Sequence, residues 1–102
     1  MIMKLQSETP KVKTVVEQLG INPFDLLAVV GINPNVLEIT TTDKEYRIQL
    51  PVQDGNPMQV SIYPKGKWWV EPIYKPLVGY TSLMAVFEQV KSDIAAVELI
   101  EQ

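Results

Sequence analysis

The chain has 102 residues, 46% hydrophobic and 21% charged, with net charge −3 and neither cysteine nor histidine. The length fits one domain, 1–102 with 1–8 frayed, able to bury a core of its own. The composition removes disulfides, thiolate nucleophiles, sulfur-built metal sites and every histidine-dependent mechanism.

Residues 1–8 are mixed in character, and Met1-Ile2-Met3-Lys4-Leu5 has neither the apolar stretch nor the cleavage site of a signal peptide. No apolar run approaches the roughly 18 residues of a spanning helix. A soluble, cytoplasmic protein is expected. Thr9-Pro10 reads as a helix start, with threonine as N-cap and proline at the first helical position. Val12, Val15, Val16 and Leu19 follow at helical spacing, and Gly20 is placed to stop the helix.

Asn22-Pro23 repeats the cap-and-proline device, with Asp25 near the new N-terminus. The expectation is a second, short helix over Pro23–Val30, apolar almost all round and closed by Gly31. From Val36 the period changes to two. Leu37, Ile39 and Thr41, then Tyr46, Ile48 and Leu50, alternate with polar residues around a turn at Asp43-Lys44, which is a β-hairpin. Asp54-Gly55-Asn56-Pro57 is a dense turn signal. A second hairpin follows: Met58, Val60 and Ile62 in one phase, a turn at Pro64-Lys65-Gly66-Lys67, and a return strand Trp68–Tyr74 that Pro72 marks as an edge.

After a connection over 75–80, Thr81 or Ser82 caps a last helix. Its Leu83, Val86, Phe87, Val90, Ile94 and Val97 make one apolar face, with Glu88, Gln89, Lys91, Asp93 and Glu98 outside. The predicted order is α-α-β-β-β-β-α. This is an α+β fold in which a four-stranded antiparallel meander has one face covered by helices.

The candidate functional features are few. The helix pair over 15–30 has the rhythm of a helix-turn-helix, but its second helix offers Phe24, Asp25, Leu26 and Leu27 where a base-reading helix needs arginine, lysine, asparagine or glutamine. It therefore reads as a packed hairpin, and duplex DNA is not expected. The 9 basic residues are also scattered and outnumbered by 12 acidic ones, against the basic face that phosphate contacts require. In Trp68-Trp69, strand alternation puts Trp68 under the last helix and Trp69 on the open sheet face, together with Tyr63, Arg47, Gln49, Gln59 and Ser61. Trp69, Tyr63, Arg47 and Lys67 then form a candidate binding surface, since aromatic and arginine side chains dominate binding hot spots. Cross-strand packing of Trp69 on Tyr63 is the plain structural alternative.

The same face invites comparison with single-strand binders that stack bases on sheet aromatics. Asp43 with Glu45, and Asp93 with Glu98, read as solvated charges. Asp54-Gly55-Asn56 lacks the ligand pattern of a calcium loop, and Lys65-Gly66-Lys67 lacks Walker spacing. A hairpin followed by Gly79-Tyr80-Thr81-Ser82-Leu83 resembles the close of HicB-type antitoxin domains. That family's glycine-rich middle is missing, generic sheet-to-helix geometry gives the same run, and no family is assigned.

The expectation is a small non-catalytic module, whether subunit, inhibitor or regulator. It docks on another protein or on its own copy as a homodimer, through Phe24 and Leu27 of the apolar helix or through the aromatic sheet face. The alternative is a nucleic-acid-associated regulator, and a carboxylate- or lysine-dependent enzyme comes third. No cofactor, metal or membrane partner is expected.

Overall fold

The computed structural model describes residues 14–51, 53 and 55–101, with side chains as far as Ala95. The fraying expected over 1–8, Val12 and the side chains of Val97 and Glu98 fall outside that range. The helix expected to run from Thr9-Pro10 to Leu19 is corrected, because Thr14 is extended (φ −75°, ψ 163°) and the described helix begins after it. Helix α1, Val15–Leu19, is capped by Thr14, whose hydroxyl accepts from the Glu17 N–H at 3.4 Å. It closes as expected on Gly20, at φ 73°. There Gly20 N–H donates to the Glu17 carbonyl (3.1 Å) and Ile21 N–H to the Val16 carbonyl (2.9 Å). This paired closure needs a left-handed residue, which glycine supplies without steric cost. Val16 and Ile21, the side chains that flank it, are both buried.

Asn22 and Pro23 do start a helical turn. Asn22 Oδ1 accepts from the Phe24 N–H at 3.1 Å, but the turn is 3₁₀, covers only Pro23–Asp25, and hands over to extended backbone at Leu26. The second helix of the sequence reading is therefore corrected to strand β1, Leu26–Asn33. A short apolar run does not by itself separate buried helix from strand. Two local features favour the strand: β-branched Val29, Val30 and Ile32, and Pro34, which biases Asn33 away from helix. With no recognition helix in this segment, the helix-turn-helix comparison lapses.

Four further strands follow: β2 (Val36–Thr41), β3 (Lys44–Gln49), β4 (Met58–Pro64) and β5 (Ile73–Leu77). They pair antiparallel in the order β1-β2-β3-β4-β5. The sheet thus has five strands where four were expected. The sequential meander and the first hairpin stand, but the hairpin turn is Thr42-Asp43 and not Asp43-Lys44, because Lys44 already pairs within β3. Thr41, nearly fully buried, accepts from the Lys44 N–H (3.0 Å) and donates toward the Asp43 carboxylate (3.2 Å), which shapes the β2–β3 turn.

The return strand of the second hairpin is also corrected. It begins at Ile73, and residues 64–70 make two successive turns, with Lys67 N–H on the Pro64 carbonyl (3.0 Å) and Val70 N–H on the Lys67 carbonyl (3.1 Å). It is an edge strand as expected, but the proline inside it is Pro76, with Pro72 lying before it.

The last helix, α2, spans Leu83–Glu101. Its Leu83, Val86 and Val90 meet Val15, Val16 and Leu19 of α1 in one buried cluster with Leu37, Ile39, Ile48, Met58, Val60 and Leu77 of the sheet. Phe87 and Ile94 pack at the margin of that cluster. Both helices lie on the same face of the sheet. Gln18 ties α1 to the end of β5: its amide donates to the Val78 carbonyl (3.0 Å) and accepts from the Val78 N–H (3.2 Å), as a neighbouring strand would. No helix among the described residues is long and apolar enough to cross a membrane.

Candidate functional site

The strand register defines the open face, the one that neither described helix covers. Val30, Glu38, Arg47, Ser61 and Tyr74 stand in one row across all five strands. Glu45 lies opposite Tyr63, and Gln49 opposite Gln59, in flanking rows. Paired residues share a face. Tyr63, Arg47, Gln49, Gln59 and Ser61 therefore share the open face, as the alternation predicts.

At its centre, Glu38 and Arg47 form a cross-strand ion pair. Arg47 Nη2 lies 2.7 Å and Nε 3.1 Å from the same Glu38 oxygen, Oε2. Charge-assisted bonds of this length hold the guanidinium plane in place.

The Arg47 guanidinium lies over the Trp68 ring, its carbon 4.8 Å from the ring centroid. The ring also meets Tyr63, centroid to centroid at 4.7 Å and tilted by 56°. This reverses the expected placement of the tryptophan pair. Trp68 lies on the open face and not under α2, while Trp69 is 79% exposed. Counting alternation from Trp68 fails because residues 67–70 are turns, so strand parity does not run through them. Tyr74, assigned by the same count to the buried phase, stands on the open face beside Ser61.

The turn that delivers Trp68 is fixed from β3. The Glu45 carboxylate accepts from the Gly66 N–H at 2.8 Å, and the Asp43 carbonyl accepts from the Lys65 N–H at 3.0 Å. Gly66, at φ 75°, supplies the left-handed residue of the turn. Glu45, read from sequence as a solvated charge, thus positions the site. The bond from Lys44 lowers the pKa of the exposed Asp43 carboxyl below its usual value.

The predicted site residues separate into two groups. Tyr63 and Arg47 come together, with Trp68 in the place assigned to Trp69. Lys67 and Trp69 are exposed on the adjoining turn. Phe24 and Leu27 are exposed as well, but at the opposite side of the sheet, on the 3₁₀ turn and the start of β1. Glu38 is not a candidate in the sequence, because a turn at Asp43-Lys44 sets it opposite Gln49; the observed turn at Thr42-Asp43 sets it opposite Arg47.

Asp93 is also corrected. It is not a solvated surface charge, because its Oδ2 is buried and Gln89 Nε2 lies 3.2 Å from its Oδ1. Burial raises its pKa above the ordinary carboxylate value, against the lowering effect of bonds from Gln89, Thr14 and the Val16 backbone.

A concavity of about 760 Å³ opens away from that face, between the β3–β4 connection and residues 78–81, lined by Leu50, Pro51, Pro57, Met58, Val78 and Tyr80 among others. The one titratable side chain among its described lining residues is Tyr80, whose phenol burial pushes up. Among the described residues no group of three or more carboxylates converges to hold a metal ion.

No protein-family model, curated protein or solved structure matches the chain. The functional reading therefore rests on the geometry.

Proposed function

We propose that the protein is a non-catalytic docking module whose open sheet face, over β3–β5, receives another protein. The observation that carries this is the seating of Trp68 on Arg47 and Tyr63 over a sheet face that neither described helix covers, flanked by exposed Trp69 and Tyr74. A clustered, pre-positioned set of tryptophan, tyrosine and arginine is the composition of a binding hot spot. Because Trp68 is already held, little side-chain entropy remains to be lost on association. The absence of histidine and cysteine from the sequence supports a role without catalysis.

The rival of a nucleic-acid platform meets two difficulties. The guanidinium that would face a phosphate is committed to Glu38, and the chain carries net charge −3.

The test compares the wild-type chain with Trp69→Ala and Tyr74→Ala, both exposed positions. Each immobilised variant is offered the lysate of the source cell at low and moderate salt. The expected result is a protein retained by the wild type at both salts and lost by the two variants, with their circular dichroism unchanged. Recovery that is the same for all three proteins, or recovery of nucleic acid alone that vanishes with salt, refutes the proposal.

A further inference from the structure

The two edges of the sheet are built differently. Strand β5 is five residues long and carries Lys75 and Pro76, the charge and the missing donor that blunt an edge. Strand β1 is eight residues long and carries neither. No charged residue lies between Asp25 and Glu38, and the strand interior has no proline. Among the described residues β1 pairs with β2 alone, so its outer row of N–H and C=O groups faces away from the sheet. Leu27, Val30 and Ile32 project from it with 56%, 50% and 53% of their surface exposed. Bulges between Leu26 and Ala28 and between Gly31 and Asn33 bend its two ends and leave the regular pairing to Ala28–Gly31.

We propose that this edge is the contact for a second copy of the same chain, with β1 pairing antiparallel to its twin so that two five-stranded sheets join into one. A two-fold axis normal to a continuous sheet keeps each face on its own side, so only residues of like face can stand opposite. Leu26, Val29 and Gly31 belong to the buried rows, and Ala28 and Val30 to the open rows, by their pairing with β2. The permitted registers are therefore centred on Val29 or on Val30. Both keep apolar side chains opposite one another in the middle of the strand. Both also place Asp25 opposite an asparagine, Asn33 or Asn35, and never opposite its own copy. An edge without charge cannot repel its twin, whereas a partner chosen by charge would find nothing on β1 to recognise. The contact lies on the strand farthest from Trp68, so it stands or falls separately from the docking face proposed above.

The experiment uses the full chain, with mass measured by light scattering from about ten to several hundred micromolar, the range in which modest strand-to-strand contacts assemble. Val30→Lys and Val30→Glu are made singly and then mixed. Val30 is half-exposed on the open face, and both variants are checked for retained circular dichroism. The expected outcome is a dimer for the wild type. Each charged variant should weaken it at least about tenfold, because like charges are brought together, and the mixture should restore it. Amide exchange over 28–31 should slow as protein concentration rises. A wild-type chain that stays monomeric throughout overturns the proposal. So does a dimer that both variants leave intact, or one whose loss the mixture does not repair.

Discussion

Truncating Trp68 to alanine is the most direct probe of the open face, and its cost can be worked from the structure. A fully buried large aromatic cut to alanine costs about 3–5 kcal/mol. Trp68 retains 37% exposure and lies on a surface with neither described helix above it. No closed cavity is left behind, so the loss falls to about 2 kcal/mol by the area that returns to water. Specific contacts add to that: about 0.5–1.5 kcal/mol from the tilted pair with Tyr63, and about 0.5–1 kcal/mol from the guanidinium contact. A double-mutant cycle with Arg47→Ala isolates the second share, since the two groups are in contact.

The assay is urea unfolding followed by far-ultraviolet circular dichroism, because tryptophan fluorescence would itself change. Trp69→Ala is the control, and at 79% exposure it should change stability by no more than about 0.5 kcal/mol. If Trp68→Ala costs no more than that control, or if Trp68 and Arg47 act additively, Trp68 is not seated on Arg47 and the reasoning fails.

Four further outcomes are expected. Because burial raises the Asp93 pKa, the folded chain holds the Asp93 proton more tightly than the unfolded chain does. Ionisation there costs stability above the folded pKa, and the cost is relieved as pH falls through it. Urea midpoints across that window should therefore show the wild type gaining on Asp93→Asn as pH is lowered. Gln18→Ala removes both bonds to Val78 and should cost about 1–2 kcal/mol, with faster amide exchange at Val78 as the specific sign. Phe87, at the margin of the core, should cost about 2 kcal/mol on change to alanine, below the range of full burial, by the same urea assay. Glu45→Ala frees the Gly66 N–H, and in a Trp69→Phe background the remaining tryptophan emission should shift red while the far-ultraviolet spectrum holds.

The elements that were legible in the sequence have local causes. The closure of α1 at Gly20, the β2–β3 hairpin and the buried phases of β2, β3, β4 and α2 each follow from periodicity together with a cap or turn residue within a few positions. The segment 23–33 was not legible. Its cap signals are real and its first turn is helical, but the state of Leu26–Val30 is settled by β2, which offers a free edge to a strand and nothing to a helix. The pairings of β2–β3 and β3–β4 put Arg47, Ser61 and Tyr63 on one face as read, because β2, β3 and β4 each alternate without interruption. Trp68 could not be placed by the same method, since alternation loses its meaning once the chain leaves the sheet.

That failure says where the site comes from. Trp68 reaches Arg47 because two consecutive turns fold residues 64–70 back across the open face, and those turns are pinned by Glu45 and by the Asp43 carbonyl on the opposite hairpin end. Arg47 in turn is held by Glu38 from β2. Three strands and one connection, contributed by residues from 38 to 68, must therefore be in register before the aromatic cluster exists. Each of these contacts is individually weak and partly exposed, so the cluster depends on the register of the sheet more than it stabilises it. Substitutions on the open face should consequently alter binding long before they unfold the chain. Substitutions in the buried rows, at Ile39 or Ile48, should remove fold and binding together. This separation is the physical signature expected of a docking face laid over a core that folds without it.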